Sequence, residues 1–369
     1  MRRQILLLRG LAILAVVANH ATGWAFVAMF WWTHRYAAAP VPDYGQMGSP
    51  TYWSLMAINQ VSLFSVPAFL MISGLSAGYS IGSGPLASDW RLVRSRLGFL
   101  LGPYLLWSLI LIGIDAVLGV VLSPAEYVRR LLEGRVTEAY YFVPLLAQFY
   151  LLSPLVVRGA RSSPWMLLGA ATAIQMTVVL FPYVAVALSQ PDAMRRAADI
   201  PGWLCLRWPL YYAIGAVVGT HPGRALRALG RYRTALLVFA AVLAALMLAE
   251  SQVLWRATAH WDWAHGSYRV TSTLYALGFL LSALTWRVTP SSLTETVERA
   301  GAMSYGIYLM HPKVLELGAR AIYHVAPELL ARQIAFALLL FAIPLSGCWL
   351  AMALVARSRA RRVYHYVFG

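Results

Sequence analysis

An arginine and a histidine stand eleven residues apart in a stretch that is otherwise almost entirely apolar. They are Arg9 and His20, within "LRGLAILAVVANHATGW" at residues 8–24. At about 100° per residue, eleven residues make roughly three turns of α-helix, so both side chains lie on one face, about 16 Å apart along the axis. Histidine is well suited to take a proton near neutral pH, and arginine pairs with phosphate. The spacing favours a shared site, although each residue alone could be a hydrogen-bonded histidine or a charge that anchors a helix end.

A second histidine has polar neighbours at helical spacing. Ser304, Tyr308 and His311 lie at positions i, i+4 and i+7 of "MSYGIYLMHP", which places them on one face of a helix. If this helix starts at the membrane edge, His311 lies about 12 Å deep, at a depth comparable to that of His20. The three side chains could line an active site, and hydrogen bonding between helices would explain them equally well.

Several other polar side chains fall inside apolar stretches. Gln148 lies at a depth similar to that of the two histidines. Four more lie in the outer half of their stretches: Asn59, Gln60, Asp115 and Glu250. Polar and ionisable groups in a membrane normally face the interior of the helix bundle. These residues favour a polar cavity open to the outside. Two alternatives would explain them equally well: hydrogen bonding between helices, or a predicted span end that is misplaced by a few residues.

Three arginines precede another apolar stretch, in "RLVRSRLGFLLGPYLLW". Arg91, Arg94 and Arg96 form a cationic cluster at the point where the chain enters the membrane. Because arginine binds phosphate oxygens in a bidentate manner, the cluster could hold a phosphorylated ligand. The simpler alternative is that these residues are topological charges of the kind that most basic loops carry.

The composition indicates the kind of protein that positions these side chains. Of 369 residues, 60% are hydrophobic and 12% are charged, and the mean hydropathy is +0.63. A soluble domain carries roughly twice that charged fraction. Apolar runs of about 20 residues recur along the chain, which predicts a polytopic α-helical membrane protein. The net charge of +16 does not indicate a nucleic-acid partner, since the arginines lie in short loops between the apolar runs.

We predict ten membrane spans in one domain over residues 1–369, with the first helix retained and no fused extracytoplasmic domain. The spans are 5–32, 51–78, 97–122, 140–157, 165–189, 203–220, 234–254, 269–288, 303–322 and 333–356. A proline inside a span frees a backbone carbonyl. Kinked or broken helices around an interior cavity are therefore expected at Pro67, Pro103, Pro144, Pro154, Pro182, Pro209 and Pro344.

The distribution of arginines among the loops predicts the orientation of the chain in the membrane. Most arginines fall on the side that carries both termini, so both termini are expected in the cytoplasm of a multi-pass inner-membrane (plasma-membrane) protein.

Cys205 and Cys348 have no metal-ligand spacing. His260 and His265 flank Asp262, but metal ligands normally come as a fuller set, so no metal site is predicted.

Five segments together resemble the membrane acyltransferase-3 family. The Arg9-to-His20 spacing matches the Arg/Lys-x10-His signature that opens this family. Four more stretches resemble it in the same order: "VPAFLMISGLSAGYS" (66–80), "RLVRSRLGFLLGPYLLW" (91–107), "YYFVPLLAQFYLLSPLV" (140–156) and "MSYGIYLMHP" (303–312). One departure is that "YYFVPLL" lacks the tryptophan expected before its phenylalanine.

The resemblance implies transfer of an acyl group, with acetyl expected, from cytoplasmic acyl-CoA to a hydroxyl. The acceptor would be a glycan, a lipid-linked sugar or another small hydroxylated compound. His20 is the candidate base, because a hydroxyl is a poor nucleophile until its proton is removed. Arg9, with Arg91, Arg94 and Arg96, is the candidate to hold the CoA phosphates. The partners expected are acyl-CoA, the acceptor and membrane lipids, with no tightly bound cofactor.

Two alternatives stay open. An acyl-histidine intermediate is the rival to direct transfer. A transporter or exporter that uses its buried histidines and carboxylates for proton coupling is the rival function, although we find no pair of inverted repeats of the kind common in secondary transporters.

Overall fold

Helices make up the regular structure of the protein. The computed structural model describes residues 2–82, 86–286 and 289–369, with the backbone alone for residues 86–88. These ranges contain α-helices and short 3₁₀ segments and no β-strand, which confirms the all-α prediction. The helices are α1 Arg2–Phe30, α2 Pro50–Val61, α3 Ser65–Ser80, α4 Leu86–Val117, α5 Pro124–Glu133, α6 Phe142–Ser162, α7 Pro164–Ala187, α8 Pro191–Ala198, α9 Pro209–Thr220, α10 Pro222–Arg231, α11 Arg233–Thr258, α12 Trp261–His265, α13 Val270–Ala283, α14 Ser292–Ala302, α15 Ser304–Val325, α16 Gln333–Arg357 and α17 Tyr364–Phe368.

Seven helical segments in the described ranges are long and apolar enough to cross a membrane. They are Arg2–Phe30, Pro50–Ser80, Asp89–Val117, Phe142–Ser162, Pro164–Ala187, Arg233–Thr258 and Gln333–Arg357. The second of them joins α2 and α3 through a 3₁₀ turn at Ser62–Phe64. The chain is therefore a multi-pass helical membrane protein.

The predicted count of ten spans is not confirmed. Each predicted span coincides with a helix, but α9 has 12 residues and α13 has 14, too few to cross a bilayer alone. Helix α15 has 22 residues and carries Lys313, Glu316 and Arg320. The last two residues of the predicted span 269–288 lie outside the described residues.

The prolines act in two different ways. Four of the seven singled out lie inside helices, where they remove a backbone hydrogen bond: Pro103, Pro154, Pro182 and Pro344. The other three lie in the first turn of a helix, where the N–H groups have no helical partner: Pro67, Pro144 and Pro209. In the second predicted span, the α-helix is interrupted by the 3₁₀ turn between α2 and α3, and Pro67 lies just after that turn.

Helices α3 and α9 pack closely against each other along most of their length. Each presents two glycines one turn apart, Gly74 and Gly78 on α3 and Gly215 and Gly219 on α9. A Cβ atom at any of the four would run into the backbone of the partner helix. Small residues at this spacing let helix backbones touch in a membrane, where packing rather than the hydrophobic effect drives association.

Helix α1 is central and contacts α2, α3, α14, α15 and α16. It crosses α14 at Gly10 and Gly301, where a side chain on either glycine would collide with the backbone of the other helix. Since α15 begins at Ser304, directly after α14, this crossing holds the start of α15 beside the Arg9 turn of α1.

Two segments without α-helix pack against the bundle, one directly before α6 and one directly before α9. In the segment 134–141, the Tyr140 hydroxyl donates to the Leu309 carbonyl at 2.6 Å, and the Ala139 carbonyl accepts from the Tyr308 hydroxyl. In the segment 199–208, the Trp203 carbonyl accepts from Gln148 at 2.7 Å. Irregular backbone is tolerated at membrane depth only when protein groups satisfy it in this way.

Candidate active site

A cavity of about 430 Å³ lies between α1, α3, α4, α6, α15 and the C-terminal residues. Arg9 and Arg96 line it together with the side chains of Tyr150, Ser304 and Tyr308. The cavity therefore brings two cations, from α1 and α4, to the same space as the polar face of α15.

Arg96 is hydrogen-bonded through one terminal nitrogen and has no partner for the other among the described residues. Its Nη2 donates to the carbonyl and to the hydroxyl of Ser76, both at 3.1 Å, and its guanidinium carbon lies 5.8 Å from the centre of the Tyr150 ring. Its Nη1 is buried and has no hydrogen-bond partner among the described residues. Arg91 and Arg94 are exposed and do not line the cavity.

His20 and His311 meet although 291 positions separate them in the chain. Their ring centres lie 5.3 Å apart with the ring planes tilted by 51°. His20 keeps some accessible surface, whereas His311 is fully buried. The Nδ1 atom of His311 lies 2.8 Å from the carbonyl oxygen of Tyr308 and 3.1 Å from that of Ile307. The two helices that carry the predicted chemistry thus place their histidines side by side.

Tyr308 connects the histidine pair to the cavity. Its ring lines the cavity, and its centre lies 6.0 Å from that of His311. The rings of Tyr305 and Tyr140 stack on it at 6.1 Å and 6.0 Å. The hydroxyl of Tyr308 is bound to the Ala139 carbonyl, so the ring is held in place between the cavity and the histidines.

A chain of polar side chains begins at the residues around His20 on α1. Asn19 donates to the Asn59 carbonyl at 3.1 Å, and the Asn59 amide donates to the Thr22 hydroxyl at 3.3 Å. The Gln60 amide continues the chain by donating to Asn59 Oδ1 at 3.2 Å. Asn59 and Gln60 therefore belong to one interhelical network with α1.

The chain ends on a buried ion pair. Arg269 is fully buried, and it donates to the side-chain oxygen of Gln60 and, at 3.2 Å, to Glu250 Oε2. Glu250 also accepts from the Tyr183 hydroxyl at 2.7 Å and from Thr271. A buried charge is stable only with such partners. Glu250 is thus not a lone carboxylate.

Asp115 also has a cationic partner. Lys313 Nζ lies 2.6 Å from Asp115 Oδ1 and 2.7 Å from Glu316 Oε2, and Glu316 in turn accepts from Arg320 at 3.0 Å. These contacts tie α4 to α15 two residues beyond His311.

Gln148 holds the segment before α9 and does not line the cavity. Its amide donates to the Trp203 carbonyl and its oxygen accepts from the Cys205 N–H at 3.2 Å. The His260 ring lies 3.1 Å from Asp199, and no group of three metal-ligating side chains occurs within the described ranges.

Comparison with known proteins decides the family. Residues 3–353 match a family model described as an acyltransferase domain. The chain belongs to the acyltransferase-3 family. Three relatives of this acyltransferase-3 protein are named "Probable poly-beta-1,6-N-acetyl-D-glucosamine export protein", from Staphylococcus aureus strains MRSA252, MSSA476 and MW2. Each is 21% identical over 262 residues, which cover 70% of this chain and 71% of the relative. No solved structure matches the chain.

The acyltransferase-3 chain brings together some of the predicted site residues and separates others. One group surrounds the cavity and the histidine pair: Arg9, His20, Arg96, Ser304, Tyr308 and His311. A second group lies in separate networks or at the surface: Asn59, Gln60, Arg91, Arg94, Asp115, Gln148 and Glu250.

Sequence reasoning missed Arg269 and Lys313 as buried groups. Both lie toward the outer ends of predicted spans, where cations are common and need no particular partner. The available signal was charge complementarity, since each lies at the depth of an acidic residue on a neighbouring span, Glu250 and Asp115 respectively.

Proposed function

We propose that this acyltransferase-3 protein transfers an acyl group, acetyl in the simplest case, from acyl-CoA to a hydroxyl on a glycan, a lipid-linked sugar or another small acceptor. The observation that carries the proposal is the joining of a cation-lined cavity to a pair of histidines through Tyr308. A cavity of about 430 Å³ is in the range of sites that bind small molecules.

The donor is proposed to bind in the cavity. CoA carries phosphate groups, and Arg9 and Arg96 supply the cationic donors for them, with the free Nη1 of Arg96 available for a charge-assisted hydrogen bond. The remaining lining is largely aromatic, with Tyr150, Tyr305 and Tyr308 suited to the flexible arm that carries the thioester. The arm would lead from the two arginines toward the histidines.

The acceptor hydroxyl is proposed to bind at His20. His20 accepts the hydroxyl proton while the oxygen attacks the thioester carbonyl. The C–S bond then breaks, and the thiolate of CoA leaves with the proton that His20 held. The rival path forms an acyl-histidine first, with the same bond broken and the thiolate released before the acceptor arrives. In both paths a desolvated site keeps the imidazole neutral, as a base must be.

The topology follows from the same proposal. We place both termini and the arginine end of the cavity in the cytoplasm, where acyl-CoA is made, and the protein in the inner membrane. The polar chain from Asn59 to Glu250 then extends from His20 toward the opposite side, where an extracytoplasmic acceptor would approach.

Export of a polymer is the second candidate function, favoured by the name of the Staphylococcus aureus relatives. An exporter needs a path through the bundle, whereas an acyltransferase needs only a donor site that meets an acceptor site. Tyr308 lines the cavity, and behind its ring lies the fully buried His311, which does not line the cavity. This arrangement favours transfer over passage of a polymer.

One experiment separates the two functions. Surface glycans and secreted compounds are compared by mass spectrometry in cells with the wild-type protein, with His20→Ala, or without the protein. Acyl transfer predicts products heavier by one acyl group in wild-type cells alone. Export predicts the same masses in all three strains and a smaller amount outside the cell when the protein is absent.

A further inference from the structure

We propose that His311 is a positioning residue for His20, and that its Nε2 accepts the hydrogen bond that fixes which nitrogen of His20 acts as the base. The inference rests on the proposed acyl transfer and adds a named role for a second histidine. It follows from three observations: the direction of the His311 hydrogen bonds, the free state of its other nitrogen, and its contact with His20.

The hydrogen bonds of His311 determine where its proton lies. Its Nδ1 approaches two backbone carbonyl oxygens, at 2.8 Å and 3.1 Å, and a carbonyl oxygen can only accept. Nδ1 therefore carries the hydrogen. A neutral imidazole has one N–H, so the Nε2 atom of His311 carries the lone pair. The ring is neutral because it is fully buried, with no carboxylate within hydrogen-bond distance among the described residues.

The lone pair of His311 lacks a donor in the described part of the chain. Nε2 is buried and makes no hydrogen bond there. Buried polar atoms in native proteins are normally paired, so an unpaired one calls for a partner such as a water, a ligand or a neighbouring group that can turn toward it. An apolar side chain would fill the same space without an unsatisfied atom, so packing alone does not account for a histidine here.

His20 is the group placed to supply that donor. The two rings lie 5.3 Å apart between centres, which is direct contact with no room for a third side chain between them. His20 makes no hydrogen bond to another side chain or to the backbone within the described ranges. Catalytic hydrogen bonds are often long before the substrate binds and shorten in the complex. Rotation of the His20 ring brings one N–H to Nε2 of His311.

The contact orients the base and stabilises it after it takes the proton. When one His20 nitrogen donates to His311, the other necessarily carries the lone pair and faces the acceptor hydroxyl. After proton transfer, the imidazolium of His20 keeps its hydrogen bond to the neutral His311. The proton then passes from His20 to the departing thiolate, and His311 keeps its own hydrogen on Nδ1 throughout.

The test uses two substitutions at the same site. His311→Phe keeps a planar ring and removes the acceptor, whereas His311→Gln places a carbonyl oxygen near the position of Nε2. Purified proteins in liposomes receive acetyl-CoA and envelope glycans extracted from cells lacking the protein, and kcat and the KM for acetyl-CoA are measured.

We expect His311→Phe to lower kcat about 10- to 100-fold with an unchanged KM, since the lost hydrogen bond involves a charged group. His311→Gln should retain most of the wild-type kcat. In the His20→Ala background, His311→Phe should cause no further loss, because residues that act as one unit are not additive. Nitrogen-15 NMR of labelled histidine should show His311 protonated at Nδ1 and unprotonated at Nε2.

Three results would overturn the inference. They are a wild-type kcat in His311→Phe, equal losses of kcat in the Phe and Gln variants, and an Nε2-protonated His311. Failure of the proposed function gives a different pattern, in which the wild-type protein itself neither binds acetyl-CoA nor transfers its acetyl group. The NMR measurement needs no activity, so it tests the His311 tautomer in either case.

Discussion

The contrast between Arg96 and its two neighbours gives a sharp test of the donor site. In Arg96, Nη2 is held by Ser76 and Nη1 is free, so one charge-assisted hydrogen bond is available to a phosphate. A hydrogen bond to a charged group contributes about 1.5–3 kcal/mol. Since 1.4 kcal/mol corresponds to a factor of ten, Arg96→Ala should weaken acetyl-CoA binding about 10- to 150-fold.

The matched control is Arg94→Ala, two residues earlier on the same helix. Arg94 is exposed, and exposed charge pairs contribute at most about 1 kcal/mol, so its loss should weaken binding no more than about fivefold. Binding is measured with radiolabelled acetyl-CoA on protein in liposomes, and the thermal unfolding midpoint of each variant checks that the bundle is intact. The reasoning is refuted if Arg96→Ala binds like the wild type, or if Arg94→Ala is impaired as strongly.

Two further predictions concern stability. Arg269→Leu leaves Glu250 and Gln60 without their buried partner and should destabilise the protein by about 3–5 kcal/mol, lowering its thermal unfolding midpoint, while Glu250→Leu added to it should restore part of the loss. Gly215→Leu forces α3 and α9 apart and should lower the yield of monodisperse protein, whereas Gly98→Leu, where an added Cβ meets nothing, should not.

These stability predictions have clear contrary outcomes. If the double variant at Arg269 and Glu250 is less stable than Arg269→Leu alone, the two residues do not act as a mutually compensating pair. If Gly215→Leu and Gly98→Leu give the same elution profile in size-exclusion chromatography, close backbone contact does not hold α3 against α9.

The local part of the site could be predicted from sequence because it depends on the geometry of one helix. The spacing of Arg9 and His20, or of Ser304, Tyr308 and His311, fixes a shared face at 3.6 residues per turn. The meeting of His20 with His311 depends instead on how α1 packs against α14 and α15, through the close approach of two glycines. Periodicity carries no information about that contact.

The arginine cluster shows an intermediate case. At about 100° per residue, Arg91 and Arg94 lie about 60° apart around α4, while Arg96 lies about 140–160° from both. The sequence alone therefore predicts that Arg96 lies on a different face of α4 from Arg91 and Arg94. Which of the two faces borders the cavity depends on the packing of α4 against α3, and only the structure provides it.

Hydropathy located the helices but not their lengths. Helix α9 has 12 residues because residues 203–208, which the predicted span included, form a 3₁₀ segment at Cys205–Arg207 and a non-helical stretch held by Gln148. Apolar buried loops and apolar helices have the same composition, so a hydropathy profile joins them into one span. The predicted span 203–220 is therefore longer than the α-helix it contains, Pro209–Thr220.

The most direct test of the account is transfer of a labelled acetyl group in vitro. Liposomes containing the purified protein receive carbon-14-labelled acetyl-CoA and envelope glycans extracted from cells lacking the protein, and label in the glycan fraction is counted. We predict labelled glycan with the wild-type protein and a rate lower by about 10²- to 10⁴-fold with His20→Ala, which should still bind acetyl-CoA. A His20→Ala protein that transfers label at the wild-type rate would contradict the central claim.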